Sequence, residues 1–379
     1  MKKLNLILLV IVLALYSFLL FYNKGIISAR PAPATERPFE PLSSVLRLIR
    51  SEYIEERNPL ETMDGALRGL VNSLDPLSGY LSEKATHLYL EQQKENTFYD
   101  VGLLLMKRYG FFPLVVGLRP DSPAQKQEIK VGDYITEIDG EPTSPLSLTE
   151  VRLLLRSKKD GSVTLKTLRG EQTRIISLKR EKLPSSPYIF RSQPGTAGWL
   201  EIHGFFPPLS QEINQKIIPR LASPRLPLIL DLRLAQEGQL DEALRFLNLF
   251  ISAEKIAFYR SRSRDPQYFG CPQRPALADV NLVIWVSPAT QDLAELVAAA
   301  LQEKKKAPAI GHPTPGLMAK REFFLLRDGT SFFLTTAVGG LYPDRILWQK
   351  GVEPNVRLGP EEYETSIYLQ KTLQGQIFP

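Results

Sequence analysis

Two apolar runs, Leu228-Ile229-Leu230 and Leu282-Val283-Ile284-Trp285-Val286, constrain the fold of this chain more than any other feature. Both read as buried strands. Each is followed by a helical segment, Leu240 to Ile251 and roughly Leu293 to Glu303. Buried strands alternating with helices indicate an α/β layer. In the later helix Leu293, Leu296, Val297, Ala300 and Leu301 make one apolar face. The chain has one cysteine, Cys271, so no disulfide within it is possible and the core has to hold the fold.

The first half is patterned differently. Leu42, Val45, Leu46, Ile49 and Tyr53 recur on one face of a helix, with Ser43 and Ser44 as caps. A second helix spans about Leu60 to Ser73 and stops at Leu74-Asp75-Pro76, and a third runs from Glu83 to Lys94. From Phe98 the chain turns to short β-like runs. These include Gly102 to Leu105, Leu114 to Val116, and Asp133 to Ile138 before the turn Asp139-Gly140. Leu148 to Arg156 reads as a helix, and Ser162 to Leu165 and Arg174 to Leu178 close a small β-rich unit. Pro184-Ser185-Ser186-Pro187 marks the next boundary. The expected organisation is a helical region over 42–97, a β-rich module over 98–183 and an α/β core over 184–379.

Ahead of these lie residues 1–24. Lys2 and Lys3 precede an uncharged, almost wholly apolar stretch from Leu4 to Tyr22. About 20 such residues span a bilayer as a helix. A cleaved signal has a core of roughly 7–15 residues and a small-residue cleavage site, for which Ile27-Ser28-Ala29 is a fair match. The stretch reads as an uncleaved anchor, with a signal peptide as the alternative. Lys2 and Lys3 hold the N-terminus in the cytoplasm, which puts the body at the periplasmic or extracellular face. Residues 25–41, rich in Pro and Ala, read as a linker.

The 379 residues suit two or three domains, and 43% hydrophobic content suits a packed protein. The net charge of +6 is mixed along the chain and shows no basic stripe with interleaved aromatics, so nucleic acid is not an expected partner. Lys304-Lys305-Lys306 reads as a solvated helix end. His87, His203 and His312 have no metal-ligand spacing, so neither a metal nor a cofactor is implied. His203, in an apolar strand, has no identifiable partner in the sequence.

Several segments occur in an order that resembles one family. They are Gly65-Ala66-Leu67-Arg68-Gly69-Leu70 with Asn72-Ser73-Leu74-Asp75-Pro76, then Asp121-Ser122-Pro123-Ala124 with Val131 to Gly140. Asp231-Leu232-Arg233 with Leu240-Asp241-Glu242-Ala243 follows, then Asp328-Gly329-Thr330, and last Lys350-Gly351-Val352-Glu353-Pro354. The chain is similar in these to the carboxyl-terminal processing peptidases, family S41, which are serine peptidases with an embedded PDZ module. The resemblance implies an α+β multidomain fold: a helical region, an inserted PDZ module, and an α/β core of the ββα-superhelix, crotonase-like type.

PDZ modules capture a C-terminal peptide as an added strand and hold its carboxylate on backbone N–H groups. The matching loop is Val101-Gly102-Leu103-Leu104, preceded by Tyr99 and Asp100 where the family has more glycine. Asp100 puts a negative charge near the expected carboxylate. The resemblance makes protein C-termini the expected partners, and an active peptidase relative another.

Family catalysis implies a Ser/Lys dyad and an oxyanion hole. The nucleophile position, three before Glu295, holds Asp292; the lysine position, after Thr314-Pro315-Gly316, holds Leu317. The two are 25 residues apart, the family spacing, so no gap is needed. The oxyanion turn reads Leu234-Ala235-Gln236-Glu237-Gly238, with Glu237 in place of a glycine as a carboxylate expected to repel an oxyanion. Asp292-Leu293-Ala294-Glu295 also reads as a capping box, a purely structural role for Asp292. These changes point to a member without catalysis. The alternative is an active peptidase with a relocated dyad drawn from Ser287, Thr290 and Lys320.

Overall fold

The computed structural model describes residues 40–56, 58–94, 99–183, 186–221 and 226–374. The apolar stretch Leu4–Tyr22 lies outside them, as does the linker up to residue 39. Among the described residues no helix is long and apolar enough to cross a membrane. The chain divides into two compact units after Gly65.

The first unit contributes the helix Glu40–Glu52. Ser43 and Ser44 lie inside it instead of capping it, and Ser43 Oγ donates to the Glu40 carbonyl at 2.9 Å. The helix starts earlier than the apolar periodicity suggests because Glu40 supplies an acidic first turn, favourable at an N-terminus. A second helix, Pro59–Asn72, crosses from the first unit into the second.

The second unit holds the rest. Its β-rich module is a seven-stranded sheet. Along the main path the order is Tyr99–Asp100, Gln172–Lys182, Gly161–Arg169, Tyr134–Ile138, Leu114–Leu118 and Leu103–Met106. Leu103–Met106 is therefore a terminal strand of that path. The helix Leu148–Leu155 covers the module's core, and it opens with a capping box in which Ser147 and Glu150 bond reciprocally. Val101, Val115, Ile135, Val151 and Leu165, all fully buried, are central to that core.

The two apolar runs are neighbours. Leu228–Asp231 pairs in parallel with Leu282–Val286, residue for residue. Gly198–Ile202, Ala309–Gly311 and Val356–Arg357 extend the sheet in parallel, and Tyr188–Arg191 closes one side antiparallel. Strands buried on both faces need unbroken apolar sequence, which is why these runs do not alternate. The helix Leu293–Lys304 is buried from Leu293 through Leu301. The helix after Asp231 ends at Leu247, four residues before the apolar pattern does, and the chain continues in tight turns at Leu249 and Phe250. A second core sheet is built on the long strand Ser331–Leu341.

Candidate functional site

Two places bring sequence-selected residues together. The first is the loop Val101-Gly102-Leu103-Leu104. Gly102 sits at φ +83°, and a Cβ there would lie 2.2 Å from Ser122 Cβ, so only glycine fits. Its N–H donates to Asp100 Oδ1 at 2.8 Å, while Arg156 Nε donates to Asp100 Oδ2 at 3.0 Å. Asp100 was expected to be a bare charge beside a ligand's carboxylate. Instead it is paired with Arg156 and itself occupies the Gly102 donor. Val101 points into the module's core. Leu104 turns the other way and packs with Val116 and Ala289 beside Leu234, which fastens the module to two loops of the α/β core.

Those two loops make the second place. After the strand ending at Asp231, Arg233 donates from Nε and Nη2 to the Asp231 carboxylate at 2.9 and 2.7 Å, which fixes the turn. After Val286 the chain stitches itself to that turn. Ser287 Oγ donates to the Arg233 carbonyl at 2.8 Å, Thr290 Oγ1 to the Leu232 carbonyl at 2.9 Å, and the Gln291 N–H to the Ala235 carbonyl at 3.0 Å. Asp292 then takes φ +55°, ψ −120°, a bend uncommon for a residue with a side chain, and the helix begins.

Asp292 makes no capping hydrogen bond, which corrects the capping-box expectation. Its partner in that box is engaged elsewhere. Glu295 accepts from Thr314 Oγ1, Gly316 N and Leu317 N at 2.5, 2.6 and 2.5 Å. The glutamate thus ties the helix to the turn that bears Leu317. A buried carboxylate is drawn to three converging donors more strongly than to one N-cap N–H.

Asp292, Leu317, Glu237 and Gly238 line one cleft of about 240 Å³. Gln236, Arg152 and Arg321 line it too. Among the described residues, its lining includes no serine, threonine, cysteine, lysine or histidine. Burial pushes the Asp292 acid up to about 7, against the pull of Arg321 and with a further push from Glu237. Burial likewise raises Glu295 to about 7 despite its hydrogen bonds. Glu237 goes the other way. Burial would raise it, but Arg156, Arg152 and Arg119 bring it down to about 2. Arg156 Nη2 lies 3.3 Å from Glu237 Oε1. The expected bare carboxylate is therefore a charge-paired one, and Arg156 joins it to Asp100.

Ser287, Thr290 and Lys320 are not among the residues lining this cleft. Both hydroxyls donate to backbone carbonyls, as above. Lys320 Nζ lies 3.0 Å from Glu322 Oε1 and lines a separate cleft with Tyr259 and Asp265. His203, whose partner was not identifiable in the sequence, has its Nε2 2.7 Å from Glu201 Oε1, and Glu201 also takes Arg191 Nη1 at 2.5 Å. In the lysine run, Lys305 Nζ donates to the Ala278 carbonyl and Lys304 pairs with Glu303.

Residues 197–358 match Peptidase family S41, and residues 114–169 match the PDZ domain. The chain belongs to peptidase family S41. It is 26% identical over 352 residues to the carboxy-terminal processing protease CtpA of Bacillus subtilis (strain 168), covering 92% of this chain and 74% of that one. It is 27% identical over 332 residues to a probable CtpA-like serine protease of Staphylococcus aureus (strain MRSA252), covering 86% of this chain but only 65% of that one. A solved photosystem II D1 C-terminal processing protease shares the fold, with a TM-score of 0.65, 23% identity, and coverage of 86% of this chain and 89% of that one. The S41 fold expected from the sequence, α+β with an embedded PDZ module, is the fold observed.

In this S41 chain, sequence reasoning selected Asp292, Leu317 and Glu237 but passed over Arg152, Arg321 and the role of Gln236. Gln236 was in view within the altered turn. Arg152 lies on the PDZ helix and reaches the core cleft only through tertiary packing, so nothing local to it signals the site.

Proposed function

We propose that this S41 homologue is a pseudopeptidase that is anchored in the membrane, with its body outside the cytoplasm, and holds protein tails without cutting them. One observation carries the loss of cleavage. The cleft formed where the strand Leu282–Val286 meets its helix presents Asp292 and Leu317, and its lining offers no hydroxyl, thiol or amine nucleophile. An acyl-transfer mechanism needs such a group beside a base. The end strand Leu103–Met106 of the PDZ sheet is the element to which an extended tail would add. Anchoring is supported by the apolar stretch Leu4–Tyr22 behind Lys2 and Lys3. Protease protection in sealed vesicles tests that part.

The deciding experiment incubates the purified protein with an unfolded protein and a set of C-terminal peptides, and follows binding and cleavage together. Binding with intact peptides is the expected result. Cleavage that disappears in Ser287→Ala, Thr290→Ala or Lys320→Ala would establish a relocated dyad and end the pseudopeptidase reading. Activation or inhibition of an active S41 relative by the added protein would place the tail-holding role in regulation.

A further inference from the structure

Two buried side-chain atoms in the described chain lack a hydrogen-bond partner, Gln236 Nε2 and Asp292 Oδ1, and both residues line the same cleft. Gln236 is 8% exposed. Its Oε1 accepts from Arg152 Nη2 at 3.1 Å, which fixes the amide's orientation and leaves Nε2 as the free donor. Buried polar groups are almost always paired, so two orphans in one cleft call for a ligand that completes them.

The charge of the cleft indicates what that ligand carries. Arg152 and Arg321 both line it. Of the acids, Glu237 is already bonded to Arg156, and burial has driven Asp292 toward its neutral form. Leu77, Phe206, Leu317 and Ala319 make the apolar part of the lining, and Gln291, the remaining polar side chain, donates from Nε2 to the Pro288 carbonyl at 3.1 Å. Phe206 is 39% exposed and offers an aromatic face to the cleft.

We propose that this cleft binds the terminal carboxylate of a peptide that ends in an apolar residue. Arg152, Arg321 and Gln236 Nε2 donate to the carboxylate oxygens, a protonated Asp292 adds a fourth donor, and the terminal side chain lies against Leu317 and Phe206. Two arginines and an amide give the charge-assisted, directional bonds that carboxylates favour. The inference stands apart from the tail-holding role of the PDZ edge. That module's loop has its Gly102 donor filled by Asp100, whereas the cleft's donor is open.

The test is calorimetric titration of the full-length protein with N-acetyl-Ala-Leu as the free acid, with its amide, and with acetate. Dipeptides are too short to add as a strand to the PDZ edge. The free acid should bind about tenfold or more tighter than the amide and tighter than acetate. Arg321→Gln, at an exposed position, should weaken the acid and leave the amide unchanged. Gln236→Leu should do the same, and if it fails to fold Arg321→Gln decides. Near pH 7, titrations in buffers of different ionisation enthalpy should reveal proton uptake that vanishes in Asp292→Asn. Arg321 and Glu237 are the charged groups that act on Asp292; Glu237 is held at about 2, whereas Glu295 is raised to about 7 and sets the background that the Asp292→Asn variant retains. Equal affinity for acid and amide, or unchanged affinity in both variants, overturns the proposal. Acetate binding as tightly as the dipeptide acid overturns the peptide assignment.

Discussion

The PDZ loop and the core cleft differ in how far their polar groups are satisfied from within. In the loop, Gly102 N–H, both Asp100 oxygens and Arg156 form one closed set. In the cleft, Gln236 Nε2 and Asp292 Oδ1 have no partner. In the loop an acid lies beside a backbone donor and its counter-ion and closes the set. In the cleft an acid sits at a bend with φ +55° and the set stays open.

The strongest way to break this contrast is to unfasten the cleft. Glu295→Ala leaves three buried donors without their acceptor, and should cost about 3 kcal/mol or more. Urea denaturation checks this, and a loss below about 1 kcal/mol would mean that the tie is not structural. Next is the pH response. Asp292 and Glu295 both have folded pKa values raised to about 7. The native state therefore holds protons that the unfolded chain has released between about pH 4 and pH 7, so these groups lower stability as pH rises through that window. Asp292→Asn should gain on the order of 2 kcal/mol more at pH 8 than at pH 5. An equal change at both pH values would refute the raised acidity. Glu237, held at about 2, acts oppositely, with its stabilisation lost only as pH falls from about 4.5 toward 2.

Smaller effects sharpen the loop's side of the comparison. Asp100→Ala frees the Gly102 donor and should raise the affinity of the PDZ edge for free C-terminal peptides about tenfold, measured with peptides long enough to form a strand. No gain would mean that Asp100 does not mask the loop. Least of all, Lys320→Ala removes an exposed pair with Glu322 and should change stability by about 0–1 kcal/mol, with peptide binding unaltered.

The layout of the core was legible because parallel strands covered on both faces leave unbroken apolar runs such as Leu282 to Val286. The helix read as Leu148 to Arg156 is observed over Leu148–Leu155, and its Ser147 capping box is local chemistry that the reading did not single out. The positions of Asp292 and Leu317 followed from spacing to Glu295 and to the Gly316 turn. Their surroundings did not. That Glu295 reaches the 314–317 turn, that Arg156 bridges Asp100 and Glu237, and that Arg152 leaves the PDZ helix for the cleft are long-range contacts with no local periodicity. His203 shows the same gap at short range, because its partner Glu201 lies two residues away in a strand that reads as apolar.

The bend at Asp292 limits what this family member can become. At φ +55° and ψ −120° the backbone lies outside the left-handed helical basin, in a region that favours glycine and most disfavours branched side chains. Substitution at this position is therefore restricted to glycine and small or unbranched side chains. The backbone works as a fixed mount, so a change of chemistry here is a change of one side chain on an unchanged support.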